Sequence, residues 1–113
     1  MFIVLLDEPG LFVYASPLDA AKDIEPPDAE NEVRAAFDDQ AVPYRVEWIR
    51  PNKRRRWFWG FGSVAFGEYR FVPAGPADPR ALAALLEEHP DYTNPPEAKA
   101  EIDALLAGLK PEA

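Results

Sequence analysis

Two apolar runs, Phe2 to Leu6 and Leu11 to Ala15, flank the polar tetrad Asp7-Glu8-Pro9-Gly10. β-Branched and aromatic side chains suit a pleated, half-buried surface, and Pro-Gly suits a tight turn because proline fixes φ while glycine frees it. The pattern predicts a β-hairpin. Ser16 then offers an oxygen to orphan helix amides, Pro17 suits the first helical position, and Asp19 complements the helix dipole. A short helix is expected, with Leu18, Ala21 and Ile24 on its apolar face. Pro26 ends it, since the residue before a proline is driven to extended geometry, and an acidic loop is expected next.

From Glu32 the period changes to two. Val33, Ala35 and Phe37 alternate with Glu32, Arg34, Ala36 and Asp38, which predicts a strand with one solvated face. Asp38-Asp39-Gln40 turns the chain into a second strand on which Val42, Tyr44, Val46 and Trp48 share a face, with Pro43 near its start or on an edge. Trp57 to Val72 is aromatic and broken by Gly60, Gly62 and Gly67, as for two strands with a turn or bulge near Ser63. The last third is helical in pattern. Asp78 caps a helix opened by Pro79, with Leu82, Leu85, Leu86 and His89 on one stripe and Pro90 as its stop. Asn94-Pro95-Pro96-Glu97 reads as a capped start for another, carrying Ala98, Ile102, Leu105, Leu106 and Leu109, with Gly108 near its end. The whole is expected to be one α+β domain over 1–113. Its mainly antiparallel sheet has about five or six strands, one short helix follows the first hairpin, and two C-terminal helices pack on the sheet.

Composition narrows the chemistry. The 113 residues suffice for one core, and 48% are hydrophobic. Without cysteine there is no disulfide, thiolate nucleophile or cysteine metal site, and a reducing cytoplasm is the expected home. Phe2 to Leu6 is too short to span a membrane and has no basic segment before it, so no export signal is read. The net charge of −8 is unevenly spread. Residues 1–39 hold ten acids and two bases, 40–73 two acids and seven bases, and 74–113 eight acids and three bases. Overall acidity disfavours nonspecific binding to nucleic acid or membrane, although a local basic patch can act against the global sign.

Two clusters stand out. Arg50, Lys53, Arg54, Arg55 and Arg56 run into Trp57, Phe58, Trp59 and Phe61, and such guanidinium groups can neutralise phosphates while exposed rings stack on bases or fill partner pockets. The plain alternatives are a solvated Lys53–Arg56 loop with the rings packed in the sheet, or a basic loop paired with the chain's own acidic third. Asp19, Asp23, Glu25, Asp28, Glu30 and Glu32 form an acidic cluster able to recruit a basic protein, or else ordinary solvated carboxylates.

Catalytic motifs are not found in the sequence. His89, the only histidine, ends a helix where imidazole meets the C-terminal dipole, and no spacing supplies it with metal-binding partners. Glu8, Glu47 and Glu68 could serve as acid–base groups only if folding brings another carboxylate near. Gly60-Phe61-Gly62 fits neither a dinucleotide nor a phosphate loop, and Ser16 and Ser63 lack a nucleophile elbow. No cofactor or metal is implied.

Ser16, Ala20, Ile24, Glu25, Pro26, Asp28, Glu32 and Phe37-Asp38 resemble the opening of a set of small, uncharacterised bacterial proteins. These begin with a hairpin, a serine-capped short helix and an acidic Glu-Pro-x-Asp turn, and some resemble immunity proteins of toxin systems. The resemblance covers the N-terminal third and implies protein binding without catalysis; it carries over no active residue. The leading expectation is therefore a cytosolic bacterial, immunity- or inhibitor-like domain that binds another protein through Asp19, Asp23, Glu25 and Asp28. Nucleic-acid binding through Arg54, Arg55 and Arg56 with Trp57 or Trp59 is the second expectation, and a small-molecule enzyme or ligand-binding domain the third. Self-association through a strand edge or aromatic patch is compatible with all three.

Overall fold

The computed structural model describes residues 1–7, 10–56, 62–65, 67–88 and 93–109. Glu8, Trp57, Trp59 and His89, to which the sequence drew attention, lie outside these residues. β1 (Phe2–Leu6) pairs antiparallel with β2 (Gly10–Tyr14), as the two flanked apolar runs predict. The chain continues through α1 (Pro17–Asp23), α2 (Pro26–Asn31), β3 (Val33–Asp38), β4 (Pro43–Arg50), β5 (Lys53–Arg56), β6 (Gly62–Ala65) and β7 (Glu68–Pro73). α3 (Pro79–Glu88), the short β8 (Thr93–Asn94), a 3-10 turn and α4 (Lys99–Leu109) complete it. The main sheet has the order β7-β4-β3-β1-β2-β8, five antiparallel strands plus β8 parallel to β2. This is the expected α+β architecture, with both C-terminal helices packed on the sheet.

β1 sits at the centre, which is why Phe2, Ile3 and Val4 are all fully buried. Alternation sends Phe2 and Val4 to a first face under Ala20, Ile24 and Ala29 of the N-terminal helices, while Ile3 and Leu5 meet Leu82, Leu86 and Ile102 on the second. The first-face core is aromatic: the Phe2 ring lies 5.0 Å from Tyr44 and 5.1 Å from Phe71, both edge-on. Such contacts add about 0.5–1.5 kcal/mol per pair beyond area burial.

Several local expectations are corrected by this layering. β3 has no solvated face: Ala35 and Phe37 pack on the second core, while Ala36, 2% exposed, packs on the first. A register shift pairs Leu5 with Ala35 but Leu6 with Val33, so Arg34 is the extra residue of a bulge and Val33 swings to the first face. The acidic loop is a helix, because Pro26 and Pro27, which cannot continue α1, occupy the first turn of α2 where no amide partner is needed. Asn94 belongs to β8, and the following turn has Pro95 as its N-cap residue, without a side-chain cap. Gly108 lies one residue before the end of α4, as expected.

The β3–β4 turn closes on Asp38, whose Oδ1 accepts from the Gln40 and Val42 amides and whose Oδ2 accepts from the Tyr44 hydroxyl. Ala41 sits there at φ 63°, in the left-handed region. Pairing of β3 with β4 covers only Ala36 and Phe37 against Tyr44 and Pro43, after which β4 and β7 run on as a pair. Lys53–Arg56 is strand rather than loop, and β5 and β6 form a separate two-stranded ribbon with Ser63 opposite Arg55 instead of at a turn.

Candidate functional site

α1 is fixed at its start by Ser16, whose Oγ accepts from the Asp19 amide at 3.1 Å. Its buried side follows the i, i+4 pair Ala20 and Ile24, at 0% and 4% exposure, so the apolar stripe is rotated from the expected one. Leu18 consequently faces solvent at 63% exposure. Asp19 and Asp23 are exposed on α1, and Glu25, Asp28 and Glu30 are exposed along α2, whose Ala29 is buried. Folding thus brings the four sequence-predicted acids Asp19, Asp23, Glu25 and Asp28 onto the outer side of two short helices covering one face of the sheet.

Two tyrosines tie that acidic layer to the sheet. The Tyr14 hydroxyl donates to Asp23 Oδ2 at 2.7 Å, and the Tyr69 hydroxyl donates to the Ile24 carbonyl at 2.5 Å. Burial, then the Asp23 hydrogen bond and charge, push the Tyr14 phenol well above its ordinary range. Burial does the same to Tyr69, assisted by the charges of Asp23 and Asp28. The negative field of both helices therefore reaches the β7 side chains.

The basic cluster is held elsewhere. Arg54, Arg55 and Arg56 lie on β5, opposite Val64, Ser63 and Gly62. The described link between this ribbon and the acidic layer is Asn52. Its Nδ2 donates to the Pro26 carbonyl at 3.0 Å and to Glu30 Oε2 at 2.8 Å, while its Oδ1 accepts from the Gly67 amide at 2.7 Å. Gly67 is required by close approach, because a Cβ there would stand 2.1 Å from the Arg50 carbonyl oxygen. Of the other carboxylates singled out, Glu47 is held below its usual range by the hydrogen bonds and charge of Arg70, with Arg45 nearby, and Glu68 is exposed opposite Arg50. Among the described residues no group of three or more His, Cys, Asp or Glu side chains is arranged to hold a metal ion. Nor is any described helix long and apolar enough to cross a membrane.

What sequence reasoning missed is a cleft of about 370 Å³ between α1 and β7, walled by Pro17, Leu18, Ala21, Tyr69, Arg70 and Phe71. It adjoins the outer edge of the sheet, with which no described strand pairs. The Ala74 amide donates to the Pro43 carbonyl at 2.8 Å, making that pair a bonded one. Bonding alternates along an antiparallel ladder, so Arg45–Val72 and Glu47–Arg70 bond inward, while the backbone groups of Tyr69 and Phe71 point outward. The signal that could have found this was the helical register of Ser16–Ile24, where Ala20 and Ile24, not Leu18, make the i, i+4 stripe. No protein-family model matches the chain, and neither a curated protein nor a solved structure is significantly similar to it.

Proposed function

We propose that the chain is a non-catalytic, cytoplasmic protein-binding domain of immunity or inhibitor character, meeting a basic partner through its acidic helical layer. One observation carries the reading: Asp19, Asp23, Glu25, Asp28 and Glu30 are all exposed on α1 and α2, whose opposite sides are buried in the core. Like charges gathered on one rigid surface create a field that steers and orients an oppositely charged protein. The test is affinity capture at low salt from the native host, repeated with Asp23→Lys, Glu25→Lys and Asp28→Lys combined and with folding checked by circular dichroism. A stoichiometric partner lost on charge reversal supports the reading. No such partner, or undiminished capture by the reversed chain, overturns it.

A second reading, nucleic-acid binding, is favoured by a different observation: Lys53, Arg54, Arg55 and Arg56 occupy consecutive positions on a two-stranded ribbon separate from the main sheet. It requires binding of labelled oligonucleotides that weakens steeply with salt, with a smaller salt slope after Arg54→Ala and Arg55→Ala. Absence of binding at low salt removes it, and the net charge of −8 ranks it behind the first.

A further inference from the structure

We propose that the outer edge of β7 and the cleft beside it take an extended, basic segment of a protein partner as an added strand. This rests on the protein-binding reading above and states how that binding is done. The edge offers unpaired hydrogen-bonding groups at Tyr69 and Phe71, derived above from the bonded pair Pro43–Ala74. An exposed edge of this kind templates pairing with another chain. At the other end of the main sheet the terminal strand is the two-residue β8, which pairs with β2 at Leu11 and Phe12, so the six-residue β7 is the longer of the sheet's two outer strands.

An added strand would lie about 4.8 Å beyond β7, and residues opposite Tyr69 and Phe71 would share their face. That face carries the cleft, whose wall includes Leu18 at 63% exposure, so alternate residues of the incoming segment place apolar side chains against Leu18 and Ala21. Charge selects the occupant. Asp19 follows Leu18 on α1, and Asp23 and Asp28 act on Tyr69 in the cleft wall. Arg70, the basic residue in that wall, donates to Glu47 Oε1 from both Nε and Nη2. A second copy of this chain would set two acidic layers against each other, whereas a segment alternating apolar residues with lysine or arginine is complementary in both pattern and sign.

The probe is an acetylated peptide alternating valine and lysine, added to the full isotope-labelled chain and followed by amide chemical shifts and hydrogen exchange. Expected is saturable binding with new protection at the Tyr69 and Phe71 amides. One of two N-methylated versions, at the valines or at the lysines, is expected to bind about tenfold more weakly, because only one set of backbone groups faces β7. Leu18→Glu and Asp19→Lys should each weaken binding, and a valine–glutamate peptide should not bind. Equal binding by both N-methylated peptides, unchanged Tyr69 and Phe71 exchange, or a β7–β7 homodimer in sedimentation overturns strand addition. If that happens while combined Asp23, Glu25 and Asp28 reversal still abolishes partner capture, only the docking mode falls. If reversal leaves capture unchanged, the protein-binding reading falls with it.

Discussion

Asn52 is the point at which the acidic layer, the main sheet and the basic ribbon are joined, and Asn52→Ala removes all three of its hydrogen bonds. A neutral hydrogen bond contributes about 1 kcal/mol net, and one to a charged group about 1.5–3 kcal/mol. Glu30 is exposed and its bond belongs at or below the weak end of that range, as for other solvent-screened contacts. The bonds to Pro26 and Gly67 are partly buried and are replaced less completely by water. The combined loss is therefore about 2–3 kcal/mol. Urea denaturation followed by tryptophan fluorescence measures it, and exchange of the Gly67 amide locates it, since that amide loses its acceptor. Asn52→Asp sharpens the test: it retains an acceptor for Gly67 but sets a carboxylate against Glu30 and the Pro26 carbonyl. Its loss at neutral pH should match or exceed that of Asn52→Ala and shrink as the solution approaches pH ~4, where carboxylates begin to protonate. A change below about 0.5 kcal/mol for Asn52→Ala, with Gly67 still protected, would refute the assignment of this joint.

Gly67→Ala should destabilise by about 3 kcal/mol or more, because the new methyl meets backbone atoms of Arg50, Pro51 and Asn52 that cannot rotate away; a wild-type urea midpoint would contradict this. Phe2→Ala, which empties a fully buried site between Tyr44 and Phe71, should cost about 3–5 kcal/mol in the same assay, and a loss under about 1 kcal/mol would show that the aromatic core re-closes. The raised phenols of Tyr14 and Tyr69 bind their protons more tightly in the folded chain than in the unfolded one. Their contribution is complete below the unfolded value of about 10 and is lost as pH rises above it, by at most about 1.4 kcal/mol per pH unit each and less for the more accessible Tyr14. Urea midpoints should fall from pH ~10 upward and fall less steeply after Tyr14→Phe; midpoints flat to pH ~11 would refute this.

The placement of Asn52 and Gly67 also bears on function. Glu30 stands at the end of the acidic layer nearest the ribbon base, so Asn52 couples the orientation of α2 to that of the β4–β7 pair. Under the protein-binding reading proposed above, a partner strand at β7 and a charged surface on α1 and α2 would then be presented in fixed relation, which lowers the ordering cost of association.

Features set by near neighbours were legible in the sequence. The hairpin around residues 7–10, the Ser16 cap and the Asp78 cap, whose Oδ1 accepts from the Ala81 amide at 3.1 Å, each depend on residues a few positions apart, and local chemistry decides them. The exposed acids were legible too, since charged side chains stay in water unless paired. Tertiary structure alone decided the rest. Pro26 stops one helix and opens another, and burial of Ala29 in the first-face core supplies the tertiary contact that so short a helix needs. Alternation along β3 could not show that both faces are covered, because the second cover comes from helices some fifty residues later in the chain. The cleft beside β7 joins Leu18 to Phe71, and the joint at Asn52 spans 26 residues to Pro26. Contacts of such separation are fixed by strand order, and periodicity within a short window contains no term for it.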